Sequence, residues 1–122
     1  MVFLTNNPLV RDSYSDRSEY FEITSLSLLE KGMEYVLAGW RLVLAPLPPN
    51  AALIKSPYRT LVIKREKSEN LSAKDVMLLE KAIQKTSDLG TREVSEKNKS
   101  LREDYAYMDL DHLRNALGEN RW

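Results

Sequence analysis

The run Thr60-Leu61-Val62-Ile63 constrains this chain most. Side chains of a strand alternate between its two faces, so a stretch apolar on both faces predicts an interior strand covered from both sides. Two well-signalled helices are available to cover it. Ser27 and Glu30 have capping-box spacing, and Leu29, Met33, Val36 and Leu37 then recur on one face until Gly39 stands at a stop position. Ser72 and Asp75 repeat the spacing, followed by Val76, Leu79, Ala82 and Ile83 and closed by Gly90.

Shorter elements complete the order. Val2-Phe3-Leu4 has strand character, and Asn7 followed by Pro8 predicts a helix start, with a short helix to Tyr14. Tyr20-Phe21-Glu22-Ile23 and Arg41-Leu42-Val43-Leu44 have the content of two more strands. Alternation of strands and helices predicts an α/β fold: a small, largely parallel sheet of about four strands with helices on its faces, in a Rossmann-like or flavodoxin-like three-layer arrangement, plus a C-terminal helix. Residues 1–90 form the α/β domain in this reading. Residues 91–104 are a charged linker or helical extension, and 105–122 an amphipathic helix carrying Ala106, Leu110, Leu113 and Leu117 on one stripe. That stripe needs a surface: the chain's own domain, or a second copy or partner protein.

Composition removes several classes of function. The 122 residues contain 18 Lys plus Arg and 18 Asp plus Glu, so no net field draws the chain to nucleic acid or an acidic membrane. The absence of cysteine excludes disulfides, thiolate metal sites and thiol nucleophiles, and suits a reducing cytoplasm. No apolar run approaches the ~18 residues that span a bilayer. A soluble, cytoplasmic protein is the expectation.

Two segments point to a site. In an open parallel sheet ligands bind beyond the carboxyl ends of strands. Thr5-Asn6-Asn7-Pro8 lies at such an end, and the Pro-rich loop from Ala45 to Tyr58 emerges from the third strand on the same edge. Asn6 and Asn7 can present side-chain amides, with backbone N–H groups near Leu9 and Val10, to a carboxylate or phosphate. The alternative is structural, with Asn7 capping a helix and Asn6 in an unusual turn conformation. In the loop, Pro46, Pro48, Pro49 and Pro57 stiffen the backbone, so that Asn50, Lys55, Ser56, Tyr58 and Arg59 can meet an anionic ligand or a partner.

Catalytic signatures are missing. No glycine pattern for a dinucleotide or phosphate loop occurs, and no serine sits in a G-x-S-x-G turn. His112, the one histidine, reads as a surface residue, and neither a metal site nor a cofactor is expected. Trp40 reads as a cap on the core and Trp122 as a terminal residue.

T-N-N-P after the first strand, G-x-x-L-x-x-x-P-L, nine residues and P-Y before a strand form one ordered pattern. Here they are Thr5-Asn6-Asn7-Pro8, Gly39 with Leu42, Pro46-Leu47, and Pro57-Tyr58. Over about residues 1–90 this resembles the GrdX family, small proteins encoded with the glycine, sarcosine and betaine reductase systems of anaerobic bacteria. The family has histidines around the third strand, in I-H-x-G-H and T-H-P-L contexts. This chain has Leu37-Ala38-Gly39-Trp40 and Leu44-Ala45-Pro46-Leu47 instead, so roles resting on those histidines do not transfer. The resemblance implies a non-catalytic accessory protein that binds a reductase component or a small carboxylate metabolite, through Thr5, Asn6, Asn7, Pro8, Pro46, Asn50, Lys55, Ser56, Pro57 and Tyr58. The rival reading is a small-molecule α/β enzyme that uses Lys55, Tyr58 or Asp12 with a bound cofactor.

Overall fold

A computed structural model describes residues 1–48, 51–65, 72–90 and 98–119. Its four strands are β1 (Val2–Thr5), β2 (Ser18–Tyr20), β3 (Trp40–Leu42) and β4 (Thr60–Arg65). The helices are α1 (Pro8–Ser13), α2 (Ser25–Leu37), α3 (Ala51–Ile54), α4 (Ala73–Leu89) and α5 (Lys99–Ala116). The strands form one sheet in the order β2-β1-β4-β3.

The sheet is mixed, not largely parallel as the alternation suggested. β1 pairs with β2 in parallel, while β4 runs antiparallel to both β1 and β3. The reason lies between β3 and β4. A parallel neighbour requires a crossover that carries the chain back to the opposite edge. Only the one-turn helix α3 is found among the described residues there, so the chain turns at one edge and returns antiparallel. This departs from the parallel order of a Rossmann-like or flavodoxin-like domain. The edge prediction nevertheless holds, because β1, β2 and β3 all run opposite to β4. Thr5 lies in register with Thr60, so the Pro-rich loop re-enters the sheet beside the T-N-N-P turn.

Helices cover both faces of β4. Leu61 and Ile63 join Leu4, Leu28, Leu29, Val36, Leu79 and Ala82 in a cluster made with α2 and α4. Val62, from the opposite face, joins Phe3, Val10, Leu110 and Leu113 in a cluster made with α1 and α5. The C-terminal stripe therefore docks on the chain's own sheet, with Ala106, Leu110 and Leu113 buried and Leu117 packed at the rim.

Local signals place the helix ends. Ser72 caps α4 as expected, its Oγ accepting from the Asp75 N–H at 3.2 Å. The Asp75 carboxylate turns to β3 and accepts from Arg41 Nε at 2.9 Å and the Leu42 N–H at 3.0 Å, tying helix to strand. At α2 the cap is Thr24 instead of Ser27: Thr24 Oγ1 accepts from the Ser27 N–H, so the helix starts earlier than the Ser27–Glu30 spacing implied. Gly39 ends the turn after α2 at φ +103°, where an L side chain is strained. β2 lies earlier than the Tyr20–Ile23 strand expected and shares only Tyr20 with it, so that Phe21–Thr24 lead into α2. Trp40 is half-buried, stacks edge-on against Tyr35 and packs at the margin of the α2–α4 cluster.

A buried polar network and a pocket at the sheet edge

At the carboxyl edge of β1 every polar group of Thr5, Asn6 and Asn7 side chains engages the protein itself. Thr5 and Asn7 are fully buried, and Asn6 nearly so. Asn6 Nδ2 donates to the carbonyls of Ile23 and Pro57, each at 2.9 Å, and Asn6 Oδ1 accepts from the Arg59 N–H at 2.8 Å. One amide thus joins the β1–α1 turn to the lead into α2 and to the end of the Pro-rich loop. No non-glycine residue among those described has a positive φ, so Asn6 does not occupy the unusual backbone conformation considered for it.

Asn7 links the turn to α5. Its Oδ1 accepts from the Leu9 N–H at 3.0 Å as the cap of α1, the role its position ahead of Pro8 predicted. The Leu9 N–H is therefore taken, and is not offered to an external anion. Asn7 Nδ2 donates to the Ala106 carbonyl at 2.8 Å and to Asp109 Oδ2 at 3.0 Å.

A hydroxyl relay converges on the same carboxylate. The Asn7 N–H donates to Thr5 Oγ1 at 3.0 Å, Thr5 and Thr60 hydroxyls lie 2.8 Å apart, and Thr60 donates to Asp109 Oδ2 at 2.9 Å. A hydroxyl has one proton. With the Thr60 proton committed to Asp109, the Thr5 hydroxyl can donate to Thr60 or to the Arg59 carbonyl at 3.4 Å, and the chain of hydroxyls ends on Asp109. Burial pushes the Asp109 carboxyl above its ordinary value, opposed by the bonds from Asn7 and Thr60 and by the charges of Arg59 and His112.

Beside Asp109 a surface pocket, whose ≈ 200 Å³ of empty space includes open solvent, is lined by Pro48, Leu53, Ser56, Tyr58, Arg59, Asp109 and His112. Arg59 is only 3% exposed. Its guanidinium donates through Nη2 to the Ile54 carbonyl at 2.9 Å, while buried Nε has no hydrogen-bond partner. Burial lowers the Arg59 pKa, and the Asp109 charge opposes that shift. Ser56 is buried and shapes the loop, its Oγ accepting from the Tyr58 N–H at 3.1 Å.

The sequence-derived candidates divide accordingly. Ser56 and Tyr58 line the pocket, and Pro57 supplies a carbonyl to Asn6. Thr5, Asn6 and Asn7 brace it from below, Pro8 begins α1, and Pro46 is buried in the loop. Lys55 is exposed, as is Asp12, which pairs with Arg11 at 2.9 Å, and neither is among the residues that line the pocket with Tyr58. Asn50 and Trp122 lie outside the described residues. Asp109 and His112 were missed, His112 having been read as a surface residue although it is half-buried in the lining. The available signal was position: Asp109 adjoins Leu110, and His112 adjoins Leu113, on the stripe that buries α5.

Family comparison agrees with the pattern of T-N-N-P and the two proline pairs. The description "GrdX-like protein" matches residues 2–118. The chain belongs to the GrdX-like family. The match extends through α5, beyond the 90 residues in which the resemblance was first apparent, so the helix that supplies Asp109 and His112 falls within the GrdX-like region. No curated protein and no solved structure matches the chain. Among the described residues no helix is long and apolar enough to cross a membrane, and no group of three or more His, Cys, Asp or Glu side chains is arranged to hold a metal ion.

Proposed function

We propose that this GrdX-like chain is a non-catalytic accessory protein of the glycine, sarcosine and betaine reductase system that binds a small carboxylate in the pocket beside Asp109. The observation that carries this reading is Arg59. A guanidinium so deeply buried, with Nε unpaired and no ion-pair partner within 4.0 Å among the described residues, bears a desolvation cost that an anion would offset. Ser56, Tyr58, Arg59 and His112 contact the ligand in this reading, while Thr5, Asn6 and Asn7 are positioning residues. Membership of the GrdX-like family supports the accessory role. Pairing of two copies through α5 has less support, because the apolar stripe of that helix already covers Phe3, Val10 and Val62.

Titration of the ¹⁵N-labelled protein with sodium acetate, against sodium chloride at matched ionic strength, tests the site. Saturable amide shifts centred on Ser56, Tyr58, Arg59 and His112 are expected. Shifts that track ionic strength alone, or that saturate elsewhere on the surface, would overturn the assignment.

A further inference from the structure

Arg59 and Asp109 carry opposite charges into one pocket without pairing with each other. Both line it, yet no ion pair within 4.0 Å joins them. Asp109 Oδ2 is held from below by Asn7 and Thr60, and Arg59 Nη2 by the Ile54 carbonyl, so each group is fixed by its own scaffold.

This separation decides what complements the pocket. A simple anion seated on Arg59 brings a second negative charge toward Asp109. A simple cation seated at Asp109 meets the buried guanidinium. A molecule with both charges satisfies each end and adds no net charge to a poorly solvated site. We infer that the pocket selects a small zwitterion, a carboxylate bearing a cationic nitrogen, with its carboxylate on Arg59 and its nitrogen toward Asp109. Tyr58 and His112, the latter one turn beyond Asp109 on α5, line the same space.

The inference rests on the carboxylate reading of the same pocket, and a charge-dissected series separates the two. Glycine carries both charges, acetate only the negative one and methylammonium only the positive one. Each is titrated into the full chain at fixed ionic strength near neutral pH and followed by amide shifts of Ser56, Tyr58, Arg59 and His112. Glycine is expected to bind about tenfold or more tighter than acetate, the factor that one added charge-assisted hydrogen bond supplies. Methylammonium should give no saturable shift. In Asp109→Asn, which keeps an acceptor for Asn7 and Thr60 but removes the charge, the glycine preference should vanish. Equal or tighter binding of acetate to the wild type would overturn the zwitterion inference and leave the carboxylate site standing. Failure of both acetate and glycine would overturn both, as would saturable binding of methylammonium alone. A glycine preference that survives in folded Asp109→Asn would remove Asp109 from the recognition. If that variant does not fold, the ranking of the three probes on the wild type decides by itself.

Discussion

On one face of the sheet, α2 and α4 bury eight residues, all Leu, Val, Ile or Ala, against β1 and β4. On the other face, α1 and α5 bury five apolar residues, and beside them the Thr5, Asn7, Thr60 and Asp109 relay joins two strands to α5. The first face is held by area removed from water, which is non-directional and tolerates small displacements. The second depends on hydrogen bonds that lose their value when one partner shifts or is removed. The α1–α5 side therefore fixes geometry as well as stability, and it is the side that carries the pocket.

The largest effect should come from the apolar face. Leu61→Ala is expected to cost ~2–5 kcal/mol in urea denaturation, from lost burial and the cavity left behind. The pocket should still respond to acetate in the protein that remains folded, and a lost response would break the separation between the two faces. Gly32 sharpens the point. A Cβ at Gly32 would lie 2.3 Å from Leu61 Cδ1, so Gly32→Ala should cost ~1–3 kcal/mol by overpacking, offset by about 1 kcal/mol of helix propensity. In the Leu61→Ala background that steric penalty should disappear, and additive costs would show that the contact is not limiting.

Asn7→Ala comes next. The lost cap accounts for ~1 kcal/mol, and leaving Asp109 and the Ala106 carbonyl short of a donor adds ~1–3 kcal/mol. A total near 2–4 kcal/mol, with the acetate response weakened, is the expected result. A loss no larger than that of a surface cap would mean that α5 is held by its apolar stripe alone.

Asp109→Asn should change stability least, within about 1 kcal/mol near neutral pH. Its pH dependence is more informative. Burial raises the Asp109 pKa above its ordinary 3.8, so the folded state binds this proton more tightly than the unfolded chain does. The stabilising contribution is fully present below the unfolded value and is lost as pH rises through the folded one. Acidification from neutral pH should therefore shift the difference in unfolding free energy between wild type and variant in favour of the wild type. A shift in the opposite direction would mean that the bonds from Asn7 and Thr60 and the nearby positive charges outweigh desolvation.

Periodicity and capping made α2, α4, the central strand and the apolar side of α5 legible, because each depends on residues within a turn or two of one another. The T-N-N-P turn and the Pro-rich loop were correctly assigned to one edge. The side chains of that turn could be read as facing a ligand or as structural, and Asn6 and Asn7 bond inward to Ile23, Pro57, Arg59, Ala106 and Asp109. Sequence spacing carries little information about such pairs, since Asn7 and Asp109 are 102 residues apart. His112 was misjudged for a related reason: its surroundings come from a loop and a helix that are distant in the chain.

What the sequence alone determined is local or compositional: which segments are strands or helices, which faces are apolar, and that no thiol chemistry can occur. Strand direction, the mixed pairing of β4 and the placing of Arg59 and Asp109 in the lining of one pocket were decided only by the tertiary structure. Helical periodicity is enforced by neighbouring backbone bonds. The direction of β4 depends on how the intervening loop closes, and the partner of a buried charge depends on which distant surface packs against it.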